Sequence, residues 1–437
     1  MGRRMTGALT RYARSFTGFS RNARLFLLTT IVFGAGISLY WVDFNLYLEA
    51  TGVDKPSIGW LMSVSQLAGF LVALPASALS NRIGRRKVML GGVALIVAAL
   101  LAILPGNLAL IPVGVVALGA GQQAFGVVQI PYIAEHTRPD QRNEFFSIWQ
   151  ATQFLTGVVA VPLGGLIAAA LSAALNLSGD VAEYRIVLTL VAFMAMLGFA
   201  SLFLLSNDRP TGDHTRLAPG ARFGIVLSDP SLFFRLLLPG FITSLGAGQL
   251  IPFLNVFIKG KFSLDLAEVN IIFGITSLGT AAAMLAQPAV ARRFGRIGSI
   301  VLVQGASIPF LVVLGFSPIL WTVIAAMAVR NSLMNAGSPI FDAFAMDRVS
   351  AAERATLSAG MTMLWSLGWT VAPLYYGWLQ ATLGFTAGYA VDFVTIIVLY
   401  TIATALLWIW FRGTDKVAAG DAAVTPIAAE TPLLEQA

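Results

Sequence analysis

The chain has no cysteine and only two histidines, His136 and His214. Disulfides, thiolate metal sites and cysteine nucleophiles are thereby excluded. Both histidines fall in predicted polar loops, so neither a metal cluster nor a histidine-based triad can be assembled from them. Charge is scarce as well: Asp, Glu, Lys and Arg make up 11% of the 437 residues, where a soluble domain carries about 25%. No Gly-x-x-x-x-Gly-Lys-Ser/Thr pattern occurs, so ATP is not expected to drive anything within this chain, and neither a metal nor an organic cofactor is expected.

What the chain has in abundance is apolar surface. It is 57% hydrophobic, with a mean hydropathy of +0.79. No water-exposed fold of this size hides that much, so its solvent is expected to be lipid. Twelve apolar segments can be read, near 25–48, 57–79, 88–105, 107–134, 144–172, 186–206, 236–257, 267–290, 297–316, 318–346, 355–382 and 387–411. Each approaches or exceeds the roughly 20 residues that cross a hydrocarbon core. The expected class is an all-α membrane protein with twelve transmembrane helices in two pseudo-symmetric six-helix bundles. The expected organisation is a basic N-terminal segment 1–24, a first bundle 25–206, a central loop 207–230, a second bundle 231–412 and a disordered tail 413–437.

The net charge of +7 and pI of about 9.9 would raise nucleic acid as a partner in a soluble protein. Here the charges stand in short turns, where Lys and Arg set topology and meet anionic headgroups. With the N-terminus inside, all but five of the 28 Lys and Arg fall on the cytoplasmic side; the exceptions are Lys55, Arg185, Lys259, Lys261 and Arg330. The chain is therefore expected in the plasma (inner) membrane with both termini cytoplasmic. The first 24 residues hold six arginines and no acid. They show no secretory signal pattern and read either as a basic segment on the lipid surface or as a mitochondrial presequence.

The most specific feature is the turn SNRIGRRKVML at Ser80–Leu90, with a weaker copy, ARRFGRIGSIVL, at Ala291–Leu302. Arg82 and Arg293 are 211 residues apart, as are Gly84 and Gly295. A shift of 212 carries Gly34-Ala35-Gly36 onto Gly246-Ala247-Gly248, Asp43 onto Asn255, Glu135 onto Asp347 and Arg142 onto Arg354. Repeats of this kind build secondary transporters, with the substrate site between the halves near the bilayer midplane.

With these landmarks in place, the chain resembles the major facilitator superfamily over about residues 25–412. The family's turn between helices 2 and 3 reads Gly-x-Leu-Ala-Asp-Arg-x-Gly-Arg-Arg/Lys. Leu79, Arg82, Gly84, Arg85 and Arg86 match it, whereas Ser77 replaces the leading Gly and Asn81 the Asp. The resemblance implies that Arg85 pairs with Glu135, and Arg296 with Asp347, as latches on the cytoplasmic side. The alternative is that these charges only set topology. The interdomain contact of the family's Asp is weakened by neutral Asn81, which gains little from a helix N-terminus. Gly157 and Pro162-Leu163-Gly164-Gly165 form a shortened version of the family's Gly-Pro-rich helix 5 motif, often seen in exporters.

Charge at membrane depth is costly and is usually kept for function. Asp43 lies in the first segment and Arg330 in the tenth, and the resemblance implies that segments 1, 4, 7 and 10 line a central cavity. Asp43 is read as a proton carrier with Arg330 as its counter-charge or as an anion site; the alternatives are a permanent Asp43–Arg330 pair that sets helix packing, or an Asp43 at the wet outer boundary. Asn45, Gln122, Gln123, Gln129, Gln249, Asn255, Asn331 and Asn335 are further polar candidates on these segments, with Trp41, Trp365 and Trp369 as flat apolar surfaces. Asp342 and Asp392 are expected nearer water or headgroups. The expected function is secondary active transport of a small solute, coupled to protons or another ion, with export favoured and the chain acting as a monomer. The alternative is a transporter-like sensor or partner protein that binds a ligand without carrying it. A membrane enzyme is disfavoured, because clustered His, Cys or acidic residues at membrane depth are missing. Replacing Arg85 by Ala is expected to cut transport, measured in proteoliposomes, without lowering membrane abundance; wild-type transport in that variant removes the latch.

Overall fold

The computed structural model describes residues 18–138, 141–177, 179–206, 228–294, 296–350 and 353–412. The side chains at 134, 142–144, 147, 150, 151, 154, 281–294, 335–339, 343 and 355 are outside that description. So are most of the basic N-terminal segment, the central loop up to residue 227, and the tail from 413.

Every regular element among the described residues is helical. The first half holds α1 (Arg21–Ala50), α2 (Lys55–Ile83), α3 (Arg85–Ile103), α4 (Ile111–His136), α5 (Arg142–Ala174) and α6 (Asp180–Leu202). The second half holds α7 (Pro230–Leu250), a 3₁₀ turn (Ile251–Phe253), α8 (Leu254–Phe262), α9 (Leu266–Phe294), α10 (Arg296–Phe316), α11 (Leu320–Asp347) and α12 (Arg354–Phe411). Lipid offers no hydrogen bonds, so each spanning segment must satisfy its own backbone, and helix is the form that does so. Large apolar side chains accordingly point outward without cover: Leu74 is 80% exposed and Trp321 74%.

Nine helices among the described residues are long and apolar enough to cross a membrane, and two shorter apolar stretches lie at Leu266–Thr280 and Leu320–Met334. One of the nine, Thr356–Phe411, runs for 56 residues, about twice what a bilayer needs. Its chain reverses at Gly384, with φ 70° and ψ −173°, a conformation open to glycine and strained for other residues. The set is thus consistent with the twelve expected spans. The seventh departs from expectation in being broken. Pro252 cannot donate a backbone N–H, so the helix tightens into the 3₁₀ turn before resuming as α8.

Helix starts follow local chemistry. Asp54 accepts from the Ser57 N–H ahead of α2, and Asp229 from the Ser231 and Leu232 N–H groups ahead of α7, where Pro230 fills the first position. Glu353 ties the start of α12 to that of α7. It accepts from the Ser350 hydroxyl (2.7 Å) and the Ser228 N–H (2.7 Å), contacts that hold its carboxyl down to about 2.

Within the first half α1 packs on α5 and α6, and α4 on α2 and α3; within the second, α12 packs on α7 and α10, and α11 on α9 and α10. The halves meet where α2 lies on α12, α5 on α9, and α1 on α8 and the 3₁₀ turn. The α2–α12 approach is close. A Cβ on Gly59 would stand 2.3 Å from the Pro373 carbonyl oxygen and 3.1 Å from Gly377 Cα. Small residues let helix backbones touch in lipid, where dispersion and hydrogen bonding replace the hydrophobic drive. Gly59→Ala is expected to pry this contact apart and cost about 1–3 kcal/mol, read as a lower melting temperature in detergent. Gly91, with nothing within 4 Å of its would-be Cβ, is the control position at which Ala is tolerated.

Candidate substrate and ion pathway

Three places gather the polar residues: a seal between the halves, a cavity in the second half, and the basic turns at the opposite end from the seal.

The seal is built on the broken seventh span. The Asn45 amide donates to the Pro252 carbonyl at 2.5 Å, and the Asn255 amide donates to the Val42 carbonyl. The two bonds are reciprocal, each side chain reaching the other half's backbone. Beside them Asp43, fully buried, accepts from the Asn270 amide at 3.3 Å, while its second oxygen and the Asn270 oxygen have no partner among the described residues. Toward the end of the molecule the Lys259 ammonium meets Asp180 at 2.6 Å. Among the described residues, all hydrogen bonds joining the halves lie in this region. On its far side a cavity of about 570 Å³ is bordered by Glu49, Asp180, Glu183, Lys259 and Asp265.

The larger cavity, about 880 Å³, runs toward the basic end and takes its walls from α7, α9, α10, α11 and α12. Arg330 forms part of the wall. It is 3% exposed, donates to the Asn331 side chain (3.0 Å) and the Tyr400 hydroxyl (2.8 Å), and its guanidinium lies 5.5 Å from the Tyr400 ring centre. Gln304, Ser277, Thr280 and Thr243 add neutral polar groups, and Trp365, Phe341 and Met361 apolar ones. Trp365 stands 6.5 Å from Trp369, which stands 6.2 Å edge-on from Trp41 of the first half. An aromatic row thus runs from the cavity to the seam between the halves.

At the basic end Gly84 turns the chain at φ 97° between α2 and α3. Arg85 grips both oxygens of Glu135 through Nε (2.8 and 2.9 Å), and its Nη1 donates to Ser80 (3.1 Å) and, weakly, to Asn81 (3.4 Å). Arg86 donates to the Leu202 and Phe203 carbonyls that end α6, and Arg82 is exposed. In the second half Arg296 pairs with Asp347. Each pair joins two helices of one half, so a latch must act through the packing of that half and not by bridging the halves. The Arg293 side chain and Gly295 lie outside the described residues.

The structure does not bring Asp43 to Arg330. Their partners are separate, so the expected counter-charge or pairing between them is corrected: Asp43 belongs to the seal and Arg330 to the cavity. Asn45 and Asn255 likewise serve the seal. Gln122 borders a small apolar void among α1, α3, α4 and α6 with no partner for its Nε2, and Gln123 lies against α2 near Gly69. Gln249 is buried and donates to its own helix at Leu245. None of these glutamines lines the larger cavity; Asn331 and Trp365 do, and the Asn335 side chain lies outside the described residues. Asp392, expected near water, is 1% exposed, and Asp342 lines the cavity. Sequence reasoning missed Asn270, Gln304 and Tyr400, which sit on segments not counted as cavity-lining; an amide or hydroxyl in an otherwise apolar run was the available signal.

A family model described as Major Facilitator Superfamily matches residues 26–373. No match in sequence to a curated protein was found. Among solved structures, the chain is similar to a bacterial homolog of the human lysosomal transporter Spinster in an inward-facing, unoccupied conformation, with TM-score 0.72 and 16% identity over 89% of this chain and 97% of that one. It is similar to the nucleoside transporter NupG (0.68; 14%; 89% and 99%) and to a D-xylose–proton symporter (0.67; 13%; 88% and 96%). These likenesses show the fold. Within it, Tyr400→Phe leaves one Arg330 N–H without its acceptor. That change is expected to cost about 1–3 kcal/mol, seen as a lowered thermal midpoint of the purified protein.

Proposed function

The chain belongs to the Major Facilitator Superfamily, and we infer that it is a secondary transporter that moves a small solute across its membrane by alternating access between its halves. The observation that carries this reading is the pairing of a polar seal between the halves with a cavity of about 880 Å³ that runs from that seal toward the opposite end. The basic turns support a cytoplasmic location for that opposite end; on this reading both termini are cytoplasmic, the membrane is the plasma (inner) membrane, and the form is inward-open. The solute then lies against Arg330, Asn331 and Trp365, and the aromatic row at Trp369 and Trp41 marks its way to the seam. Export is favoured by the Gly-Pro stretch of α5, where Pro162 packs on Gly274 of α9 across the interface.

Asp43 is the residue proposed to couple transport to protons. It is fully buried between the halves, with one oxygen bonded across to Asn270 and the other unbonded. With the seal closed, the carboxyl has no water with which to exchange a proton. Opening the seal pulls Asn270 away and admits water. Proton exchange at Asp43 is thereby tied to the conformational step, as ion coupling requires.

Counterflow of labelled solute in proteoliposomes tests carriage itself, and a chain that binds but gives no counterflow is a sensor. Asp43→Asn keeps the size of the side chain and one oxygen able to accept from Asn270. It is expected to retain counterflow while losing the acceleration that an imposed pH gradient gives the wild type. An unchanged dependence on the gradient rejects Asp43 as the coupling group.

A further inference from the structure

Among the described residues no acid pairs with Arg330. A guanidinium carries five N–H donors in a rigid fork and no acceptor. Among the described residues two of these find acceptors, and both acceptors, Asn331 and the Tyr400 hydroxyl, are neutral. The Nε–H is buried and finds no acceptor among the described residues. The ion pairs among the described residues lie at the helix ends and not here. Asp342, on the same helix and the same cavity wall, is about 18 Å further along the axis at 1.5 Å per residue. Asp392 precedes Tyr400 on α12 by eight residues, about 12 Å by the same rise. Neither neutralises Arg330 at contact distance.

An unpaired buried charge is among the costliest things a fold can hold. Contact with the Tyr400 ring offsets only part of it. The remainder is relieved when an anion enters the cavity, since a guanidinium fork takes an acidic group through paired, charge-assisted hydrogen bonds. Beyond Arg330 the wall turns apolar at Trp365, Phe341 and Met361, while Gln304 holds out a buried oxygen that accepts no hydrogen bond.

We infer that the cavity takes an organic anion, with its acidic group on Arg330 and its apolar body against Trp365 and the wall toward Met361. The assignment rests on the transport reading for what becomes of the ligand afterwards, and not for its binding.

Three probes with one body and different heads test it: 3-phenylpropionate, 3-phenylpropanol and 3-phenylpropylamine, added to the full-length protein in lipid nanodiscs at neutral pH. Binding is read by thermal shift and by quenching of tryptophan fluorescence. The carboxylate is expected to bind at least about tenfold more tightly than the alcohol or the amine. Arg330→Gln is expected to abolish that preference, and Arg330→Lys to keep part of it. Should Arg330→Gln fail to fold, the order of the three probes on the wild type decides. Trp365→Ala, which leaves the charge in place, is expected to weaken the carboxylate without changing the order. Equal binding of the three heads, preference for the amine, or no binding by any probe overturns the assignment. So does a shift of the same size from sodium phosphate or sodium chloride alone, which would mark an inorganic ion site. Binding of the carboxylate without counterflow sinks the transporter reading and leaves this one standing; counterflow of a solute without anion preference does the reverse.

Discussion

Two asparagines carry the junction on which the arrangement of the halves depends. Asn45 and Asn255 each donate to a main-chain carbonyl of the opposite half. In lipid an unsatisfied amide is expensive, so once the halves separate here these groups need water in place of one another. The contact is therefore most stable when water is excluded from it. Its geometry depends on Pro252, because the 3₁₀ turn there bares a carbonyl that a continuous helix would have used internally. Breaks of this kind in membrane helices belong where they line a cavity or a contact within the protein, and this one lies at the meeting of the halves.

The same constraint separates the charges. A carboxyl and a guanidinium in one low-dielectric space would be drawn into a tight pair. Here Asp43 is held by an amide and Arg330 by an amide and a phenol. Each charge-bearing group keeps unused hydrogen-bonding capacity, and each sits at a different place: one between the halves, the other on the cavity wall of the second half. A soluble protein would mark such residues as flaws in its core. In a family of carriers, unspent bonding capacity at depth is where ions and solutes are handled.

Much of this was legible in the sequence, for a definite reason. Lipid demands about 20 apolar residues per crossing, so the segments announce themselves, and the basic turns at Arg82–Arg86 and Arg293–Arg296 fix the repeat. The register of 212 residues set Asp43 against Asn255 as equivalent positions of the repeat, but their meeting, with Asn255 bonded to the residue next to Asp43, was not read from it. What stayed hidden was direction around each helix. A helix apolar on all sides carries no stripe to say which face turns inward. Gln122 and Asn331 thus read alike, although one borders a void inside the first half and the other the large cavity. Tyr400 and Gln304 escaped notice because tyrosine and glutamine are ordinary in helix contacts. The break at Pro252 was readable from proline chemistry but does not show in hydropathy.

The turn at Gly384 sets a mechanical condition on the last part of the chain. The helical run Arg354–Phe411 reverses on a single residue of positive φ, with no loop to act as slack. Its two arms form a stiff hairpin: neither can slide or tilt far against the other without refolding the turn. One arm carries Pro373 and Gly377, which abut the first half, and the other carries Tyr400, which holds Arg330. A shift of the seam is therefore geared directly to the cavity wall, as a lever with one short, rigid elbow.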